Sequence, residues 1–357
     1  MNLPDGREVT LQTGKLAKQA DGTVEVRVGN TVLLATAVAA PNAKDGVDFM
    51  PLTIDYREKY AAAGKFPGGF FKREARPSEY EILTMRLVDR ALRPLFPEDF
   101  HADTQVMIQL LSADENMADS FACLAASAAL ACSDIPFAGP VSEVRIARVD
   151  GEFIVNPTYE QNERGDIDMM IAGTKDSIMM VEGEMKEISE DEMVEAIKTA
   201  HIVIKEQCAI MQEFTDELGK ETKREYCHET HNKEIELAIK EFVNDKCEEV
   251  ARQGYASKDK RSELFGAIKQ EYIDSLSEEQ LAEQAPFISI YYKKAQKAAV
   301  RNVILNEKKR LDGRETTQIR PIWSEVNYLP SCHGSAVFTR GETQSLTTLT
   351  LGGKKDE

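Results

Sequence analysis

The chain has 357 residues, a hydrophobic fraction of 42% and a formal net charge of −17. The length exceeds that of one ordinary domain, and the hydrophobic fraction is sufficient for a substantial core. The acidic balance argues against a wholly basic nucleic-acid-binding protein, although it permits a local basic site.

Cysteine usage and the first residues predict the compartment. None of the six cysteines forms a CxxC pair, so we expect a reducing, cytoplasmic environment without disulfides. Asp5, Arg7 and Glu8 leave no apolar core for a signal peptide. Every apolar run falls short of the roughly 18 residues of a membrane helix, so no membrane association is expected.

Strand patterns dominate the first part of the chain. Alternating valines predict a strand over residues 24–28, and a second apolar run follows Gly29-Asn30. Asp150-Gly151, between two strand patterns, is a strong signal for a two-residue hairpin. The other predicted strands lie at residues 31–38, 106–110, 143–149, 152–155, 169–172 and 178–181.

Two helices interrupt these strands. Ser78 and Glu81 match a capping box at the start of the first helix, which ends by Pro94. The second, over Asp119–Cys132, is rich in alanine and serine and should pack closely against the sheet. Strands with packed helices predict an α/β or α+β domain up to about residue 215.

Helical patterns then replace the strands. Ser189 and Glu192 match another capping box, and Gly219 ends the helix that they begin. Further helices are predicted over residues 232–253, 257–276 and 285–309. Residues 181–300 contain 27 acidic and 17 basic residues, which predicts an all-α unit with a solvated, acidic surface.

An internal repeat links the two ends of the chain. The tetrapeptide Asp5-Gly6-Arg7-Glu8 recurs as residues 312–315. A Gly-x-Thr step and an apolar strand pattern follow each copy, at Gly29 and at Gly341. The shared context indicates duplication. The second copy stops after one or two predicted strands, which cannot fold alone, so the chain is predicted to be a fragment of a longer protein.

A basic segment reverses the acidic bias. Its centre, residues 64–73, places two adjacent phenylalanines beside two cations in a glycine-flanked loop, a combination suited to single-stranded RNA. The alternative is that Phe70 and Phe71 are buried anchors of a surface loop. The cations of the segment are Arg57, Lys59, Lys65, Lys72, Arg73, Arg76, Arg86, Arg90 and Arg93.

Three of these arginines share one face of the first helix. Arg86, Arg90 and Arg93 follow one another at helical spacing, and like charges so placed repel unless an anion lies opposite. Phosphate contacts and local or intersubunit salt bridges are both compatible with this pattern. The core side of the helix is assigned to Ile82, Met85 and Leu92.

Two further clusters contain side chains of the types that bind metal ions. Asp166 and Asp168 stand at a strand start, where they could bind magnesium or simply open the strand. Cys227, His228 and His231 lack a fourth ligand at conventional spacing, so no zinc site is predicted. Neither a Walker motif nor a GxGxxG turn after a strand occurs.

The longest motifs indicate a family. Residues 66–74 (FPGGFFKRE), 76–96 (RPSEYEILTMRLVDRALRPLF) and 311–352, with the run HGSAVFTRGETQSL, closely resemble bacterial polynucleotide phosphorylase. The resemblance implies two ribonuclease-PH-like cores of the ribosomal protein S5 domain 2-like class, joined by an all-α domain. It places the first core at 1–215, the helical domain at 216–305 and the truncated start of the second core at 306–357. The KH and S1 modules of the family would be absent.

The resemblance also implies an activity. In this family three chains form a ring around a central channel, and inorganic phosphate attacks the 3′-terminal phosphodiester of single-stranded RNA. Nucleoside diphosphates are released with the help of Mg²⁺ or Mn²⁺, and the reverse reaction polymerises them. Messenger RNA turnover in the cytoplasm and RNA-degradosome partners are part of the same expectation.

Residues of the family can be carried over individually. Phe70, Phe71, Lys72 and Arg73 match the loop that constricts the channel, although the family often has arginine at the position of Lys72. The further RNA-binding candidates are Arg76, Arg86, Arg90, Arg93, Arg314, Arg320 and Arg340.

The family's catalytic Asp, Asp-x-Lys and phosphate-binding serines would lie beyond Glu357. In the first core, Asp168 matches the aspartate of the Asp-x-Lys motif. Met170 stands in place of the lysine, and Met117-Ala118-Asp119 stand in place of the serines. The fragment alone is therefore expected to be inactive.

Two other classes of function remain open from the sequence. One is a non-catalytic RNA-binding or scaffold subunit of an exosome-like ring. The other is an acidic helical interaction protein, which predicts no RNA affinity and no effect of charge reversal at Lys72 and Arg73.

Overall fold

The computed structural model describes residues 1–44, 47–219, 222–229 and 231–353. Contacts divide the chain into two compact units, Met1–Thr230 and His231–Glu357. Among the described residues, no helix is long and apolar enough to cross a membrane. The boundary predicted at residue 215 falls inside the long helix that ends the first unit.

A five-stranded sheet opens the first unit. Its strands are β1 (Val9–Gln12), β2 (Gly22–Val28), β3 (Thr31–Ala39), β4 (Leu52–Glu58) and β5 (Thr104–Ser112). The order is β1-β2-β3-β5-β4, and only the β4–β5 pair is parallel. The predicted strands at residues 24–28, 31–38 and 106–110 are confirmed, whereas β1 and β4 were missed.

A second sheet of four antiparallel strands follows. It consists of β6 (Ser142–Val149), β7 (Glu152–Val155), β8 (Ile167–Gly173) and β9 (Ile178–Met185), in the order β7-β6-β8-β9. Asp150 and Gly151 have φ values of 53° and 85° and connect β6 to β7. Two consecutive positive φ angles are typical of the type I′ turn, so the predicted hairpin is confirmed.

The helices of the first unit are α1 (Glu79–Leu92), α2 (Ala122–Ala131), α3 (Tyr159–Arg164) and α4 (Glu190–Leu218). Capping boxes begin α1 at Ser78 and α4 at Ser189, as predicted. The predicted helix start at Asp119 is a 3₁₀ turn, Ala118–Phe121, and α3 was missed. Because α2 is buried and packs against both β2 and β6, it joins the two sheets into one core.

The prediction for the core side of α1 was partly wrong. Leu92 is fully buried, but Ile82 is 43% exposed. The buried face consists of Glu81, Thr84, Val88, Ala91 and Leu92, and α1 packs against α2 and β4.

The second unit contains three helices and a small sheet. The helices are α5 (Lys233–Gln253), α6 (Lys258–Asp274) and α7 (Glu278–Glu307), and the strands are β10 (Ile322–Val326), β11 (Gly334–Arg340) and β12 (Thr343–Leu349). Helix α7 begins seven residues before the predicted start, because Ser277 forms a capping box and Pro286 is accommodated inside the helix. The second copy of the repeat forms three antiparallel strands, not one or two.

The repeated tetrapeptide forms the same turn twice. Gly6 and Gly313 have φ values of 88° and 86°, and each following arginine binds the aspartate two residues earlier. The backbone amide of Leu3 donates to the backbone carbonyl of Arg7 at 2.8 Å. The backbone amide of Arg310 donates in the same way to the carbonyl of Arg314, at 2.7 Å. Two-residue turns at equivalent places connect β2 to β3 and β11 to β12. The predicted duplication therefore extends to local structure.

Gly22 provides a test of the packing between β2 and α2. A Cβ atom at Gly22 would lie 2.0 Å from the carbonyl oxygen of Ala129, a backbone atom that cannot move aside cheaply. We expect Gly22→Ala to lower the free energy of unfolding by about 1–3 kcal/mol, as overpacking typically does. Gly68→Ala is the control, because nothing lies within 4 Å of that position. Equal unfolding curves in urea for both variants would contradict this account.

Candidate functional site

The loop at residues 64–73 presents its aromatic side chains to solvent. Phe66, Phe70 and Phe71 are 77%, 93% and 72% exposed. Gly69 has a φ of 73°, and Lys72, at 49°, also adopts the left-handed backbone conformation that is uncommon outside glycine. The interpretation of Phe70 and Phe71 as buried anchors is therefore wrong.

Cations lie against aromatic rings within this loop. The centroids of Phe70 and Phe71 are 5.4 Å apart in an edge-to-face arrangement. The Arg73 guanidinium lies 4.9 Å from the Phe71 centroid, and the Lys72 ammonium lies 5.6 Å from that of Phe66. These are cation–π distances, so each cation is held beside a ring face while its remaining donors stay available.

A polar groove of about 480 Å³ adjoins the loop. Arg76 is exposed and lines it, together with Arg57 and Glu74. Arg57 donates to Asp55 at 2.9 Å, and the backbone amide of Tyr60 donates to Glu74 at 3.2 Å. Arg76 thus lies beside the loop on a surface of mixed charge.

The three arginines of the α1 region differ in their partners. Arg93 binds both carboxylate oxygens of Asp89 and two backbone carbonyls, which is a local salt bridge. Arg90 donates to Glu182 at 2.5 Å. Arg86 has no hydrogen bond or ion pair within the described ranges. One surface therefore contains one free arginine, Arg86, beside one partly neutralised arginine, Arg90.

Arg86 and Arg90 border a cavity of about 520 Å³ between α1 and the second sheet. On its far side, Arg145 of β6 binds Asp168 of β8 through two bonds, of 2.7 and 3.0 Å. A third bond, of 2.6 Å, joins Arg145 to Asp119. Sequence analysis missed Arg145, because nothing in its strand pattern distinguishes it from any other charged strand residue.

The arginine pairing decides the interpretation of the acidic residues. Asp168 accepts two bonds from Arg145 and one from Asn162, at 2.8 Å, so three of its roughly four acceptor sites are already engaged. Asp166 does not share this site, since it binds Arg148, whose hydrogen bonds lower the pKa of Asp166. This arrangement favours a role in opening the strand over a shared magnesium site. No group of three potential metal ligands occurs in the part of the chain that the structure describes.

Glu143 lies two residues before Arg145 on β6 and is only 1% exposed. Neither carboxylate oxygen has a hydrogen-bond partner among the described residues. Burial, reinforced by the Asp119 carboxylate, raises the pKa of Glu143 to about 8. Glu143 is therefore mainly neutral at physiological pH, which avoids the cost of an unpaired buried charge.

The remaining predicted residues have structural partners. His228 accepts a bond of 2.9 Å from the backbone amide of His101 and packs against Phe100 and Tyr226. That packing explains one member of the Cys227 cluster without a metal. In the second unit, Arg314 binds Asp312 and the carbonyl of Gln318. The side chain of Arg320 lies against Gly341, and Arg340 is exposed.

Comparison with known families agrees with this architecture. Models of the 3′ exoribonuclease family match at residues 5–136 for domain 1 and 139–203 for domain 2. A model described as polyribonucleotide nucleotidyltransferase, RNA binding domain, matches residues 234–315. Curated proteins named polyribonucleotide nucleotidyltransferase are similar over the whole chain. They include those of Phocaeicola vulgatus and Bacteroides fragilis, both 58% identical, and of Cytophaga hutchinsonii, 56% identical.

The chain belongs to the polyribonucleotide nucleotidyltransferase family. It is covered completely by these relatives and spans about half of their length, 50–51%. The crystal structure of rice Rrp46 is similar, with a TM-score of 0.50 at 15% identity. The superposition covers 59% of this chain and 95% of Rrp46. The predicted α+β fold with a ribonuclease-PH-like core is confirmed.

Arg145 should be essential for the stability of this family member. Arg145→Gln leaves two partly buried carboxylates without a cation, and breaking a buried pair in this way costs about 3–5 kcal/mol. Urea unfolding monitored by circular dichroism measures the loss. The control is Arg164→Gln, which breaks an exposed pair with Asp150 and should change little. A loss no larger than that of the control would refute the importance of the Arg145 network.

Glu143 should make stability depend on pH. The folded pKa of Glu143, about 8, lies above its ordinary value of 4.5, so between these values the unfolded chain releases a proton that the native state keeps. Stability therefore falls as pH rises through this window, by up to about 1.4 kcal/mol per pH unit. Unfolding free energies at several pH values should fall less steeply in Glu143→Gln than in the wild type. Parallel curves would show that Glu143 does not titrate in this window.

Proposed function

We propose that this chain is the RNA-guiding part of an enzyme that degrades single-stranded RNA from its 3′ end by phosphorolysis. Inorganic phosphate attacks the terminal phosphodiester, a nucleoside diphosphate leaves, and the reverse reaction polymerises diphosphates. The names of the relatives support the reaction, and the residues described above support the division of roles. The parent enzyme is, on this proposal, a polyribonucleotide nucleotidyltransferase of messenger RNA turnover.

The observation that carries the proposal is the exposed loop at residues 64–73. Large aromatic side chains are costly to expose, and Phe70 and Phe71 are both largely in contact with water. Stacked bases would cover these rings, while Lys72 and Arg73 beside them would bind the phosphates of the same strand. Stacking accepts any base, so little sequence preference is expected.

The other cations differ in how readily they can reach a phosphate. Arg86 is free, and Arg76 and Arg340 are exposed, so these three are the strongest additional candidates for RNA contacts. Arg90 would have to exchange Glu182 for a phosphate. Arg93, Arg314 and Arg320 are held by local contacts, and we assign them to orienting the RNA path.

Catalysis is assigned to parts of the longer protein that this chain does not span. Arg145 already occupies Asp119 and Asp168 with hydrogen bonds, so these carboxylates fit a divalent cation poorly, and Met170 offers no cation for phosphate. Mg²⁺ or Mn²⁺ and the attacking phosphate would be held elsewhere. The same proposal includes three chains in a ring, degradosome partners and a cytoplasmic location.

A scaffold role is the second candidate. The Arg145 network favours it for the isolated chain, because an ion-paired cavity can guide RNA without cleaving it. The two candidates differ only in what the rest of the parent protein contributes.

RNA affinity should depend on the aromatic loop. Phe70→Ala with Phe71→Ala removes two stacking platforms, each worth about 1–3 kcal/mol, so the Kd for a labelled oligouridine should rise at least about thirtyfold. Fluorescence anisotropy measures the change. Phe49→Ala is the control, since Phe49 is also exposed but lies outside the loop. Equal affinities of the loop variant and the control would refute the assigned role of the loop.

Phosphorolysis should require the longer protein. With end-labelled RNA, Mg²⁺ and inorganic phosphate, this chain should release no nucleoside diphosphates, whereas a chain extended to the full length of the relatives should release them. Phosphate-dependent release by the short chain would mean that the cavity around Arg145 is itself a working site.

A further inference from the structure

Residues 222–229 form a strap of irregular backbone along the first unit. Arg224, Tyr226 and His228 are partly buried, whereas the residues between them are exposed. Alternation with a period of two is typical of an extended chain, whose successive side chains point in opposite directions. The strap therefore has one docked face, although it belongs to neither sheet of the unit.

The first half of the strap is an anchor formed by Lys223 and Arg224. The Lys223 ammonium donates to three backbone carbonyls at and just after the C-terminal end of α2, at 2.7–3.2 Å. Arg224 forms ion pairs with Asp21 and Asp134, and its backbone amide donates to the Asp134 carbonyl at 2.7 Å. The anchor contains no histidine, so it has no group that ordinarily titrates between about pH 5 and 8.

The second half of the strap, residues 226–229, is a latch attached mainly through aromatic rings. The Tyr226 hydroxyl donates to Asp99 at 2.7 Å, and the ring packs edge-to-face against the fully buried Phe100. The His228 ring packs against Phe100 and Tyr226, with centroid distances of 5.3 and 5.0 Å. The latch therefore docks on the chain around Phe100, apart from the contacts of the anchor.

A single hydrogen bond fixes the protonation state of His228 in the docked latch. Its Nδ1 atom accepts the backbone N–H of His101 at 2.9 Å. An imidazole nitrogen accepts a hydrogen bond only when it carries no proton, so the docked His228 is neutral, with its proton on Nε2. Protonation would place an N–H group on Nδ1 directly opposite the N–H group of His101. The bond would then be lost, and two donors would face each other.

The surroundings of His228 also disfavour its charged form. His101 and Asp99 face the ring, and the strap itself brings Tyr226 and Glu229 to the same cluster. Burial, reinforced by His101, lowers the pKa of His228 below its ordinary value of 6.5, and the Asp99 carboxylate offsets only part of this effect. A released latch therefore binds a proton more readily than a docked one. Docking is fully stable above pH 6.5 and weakens as the pH falls below that value.

We propose that the latch detaches from the first unit when His228 is protonated, while the anchor stays bound. Helix α5 of the second unit begins at Lys233, shortly after the latch. Mild acidification would thus lengthen the chain available between Arg224 and α5. Neither RNA nor the reaction assigned above is needed for this behaviour.

The neighbouring pair of His101 and Glu229 acts in the opposite direction. Nε2 of His101 lies 3.0 Å from the Glu229 carboxylate and 3.1 Å from the Glu98 carbonyl oxygen, so it donates to acceptors. A positive charge on His101 would strengthen its contact with Glu229 and hold the latch more firmly. Release of the latch by acid therefore identifies His228, and not His101, as the responsible group.

Hydrogen exchange resolved to single amides tests the latch in the full chain. After correction for the intrinsic effect of pH on exchange, protection of the His101 amide should fall below pH 6.5, by up to about tenfold per pH unit, because release binds one proton. Protection of the Arg224 amide, which donates to Asp134 in the anchor, should stay constant. Equal losses at both amides would mean that the whole strap opens, and the proposal would be wrong.

Two asparagine variants separate His228 from other histidines. His228→Asn keeps an acceptor oxygen near the position of Nδ1 but does not titrate, so protection of the His101 amide should no longer depend on pH. His333→Asn is the control, because Nδ1 of the exposed His333 also accepts a backbone N–H, from Leu351 at 2.9 Å. This control should keep the behaviour of the wild type. Unchanged pH dependence in His228→Asn would overturn the proposal.

A third variant and a direct titration complete the test. Glu229→Gln removes the charge of the competing pair, so the loss of protection in acid should persist, and its disappearance would assign the effect to that pair instead. The imidazole of His228 can also be titrated by NMR in the wild type, which requires no variant to fold. A midpoint below 6.5 is expected. A midpoint above that value would mean that protonation favours docking, and the proposal would fail.

Discussion

The three-way pairing of Arg145 with Asp119 and Asp168 connects the parts of the first unit. Arg145 and Asp168 lie on neighbouring strands of the second sheet, and Asp119 lies in the turn that leads into the buried helix between the two sheets. The guanidinium therefore joins the sheet to the central helix at one point. Buried charges need partners, so Arg145 offsets the burial of both aspartates, and the two carboxylates offset the burial of the guanidinium.

This pairing also limits the chemistry of the cavity that it borders. A carboxylate that already accepts two bonds from a guanidinium has little capacity left for a metal ion, and Met170 adds only an apolar surface. The nearby Glu143 remains neutral because it is buried without a partner. The cavity thus retains the shape of a site, with Arg86 and Arg90 at its edge, while its acidic residues serve the fold. On the proposed function, RNA contacts lie instead at the exposed loop and at surface cations.

A similar division holds in the helical unit. Its acidic residues are distributed over the helix surfaces, whereas one face of α7 collects cations that have no partner among the described residues. The overall charge of a domain therefore says little about the charge of a single helix face. Composition predicts a solvated, acidic surface for this unit, but it averages over faces that only the packing of α6 and α7 on α5 separates.

The sequence alone determined the features that depend on near neighbours. Capping boxes at Ser78 and Ser189, the turn at Asp150-Gly151 and the repeated tetrapeptide are all local, and they formed as predicted. Edge strand β4 and the exposure of Ile82 were not predicted, because packing partners distant in sequence decide them. The same reason explains the candidate site: the motif identified the loop, but only the tertiary structure placed its rings in solvent and brought Arg145 to aspartates 26 and 23 residues away.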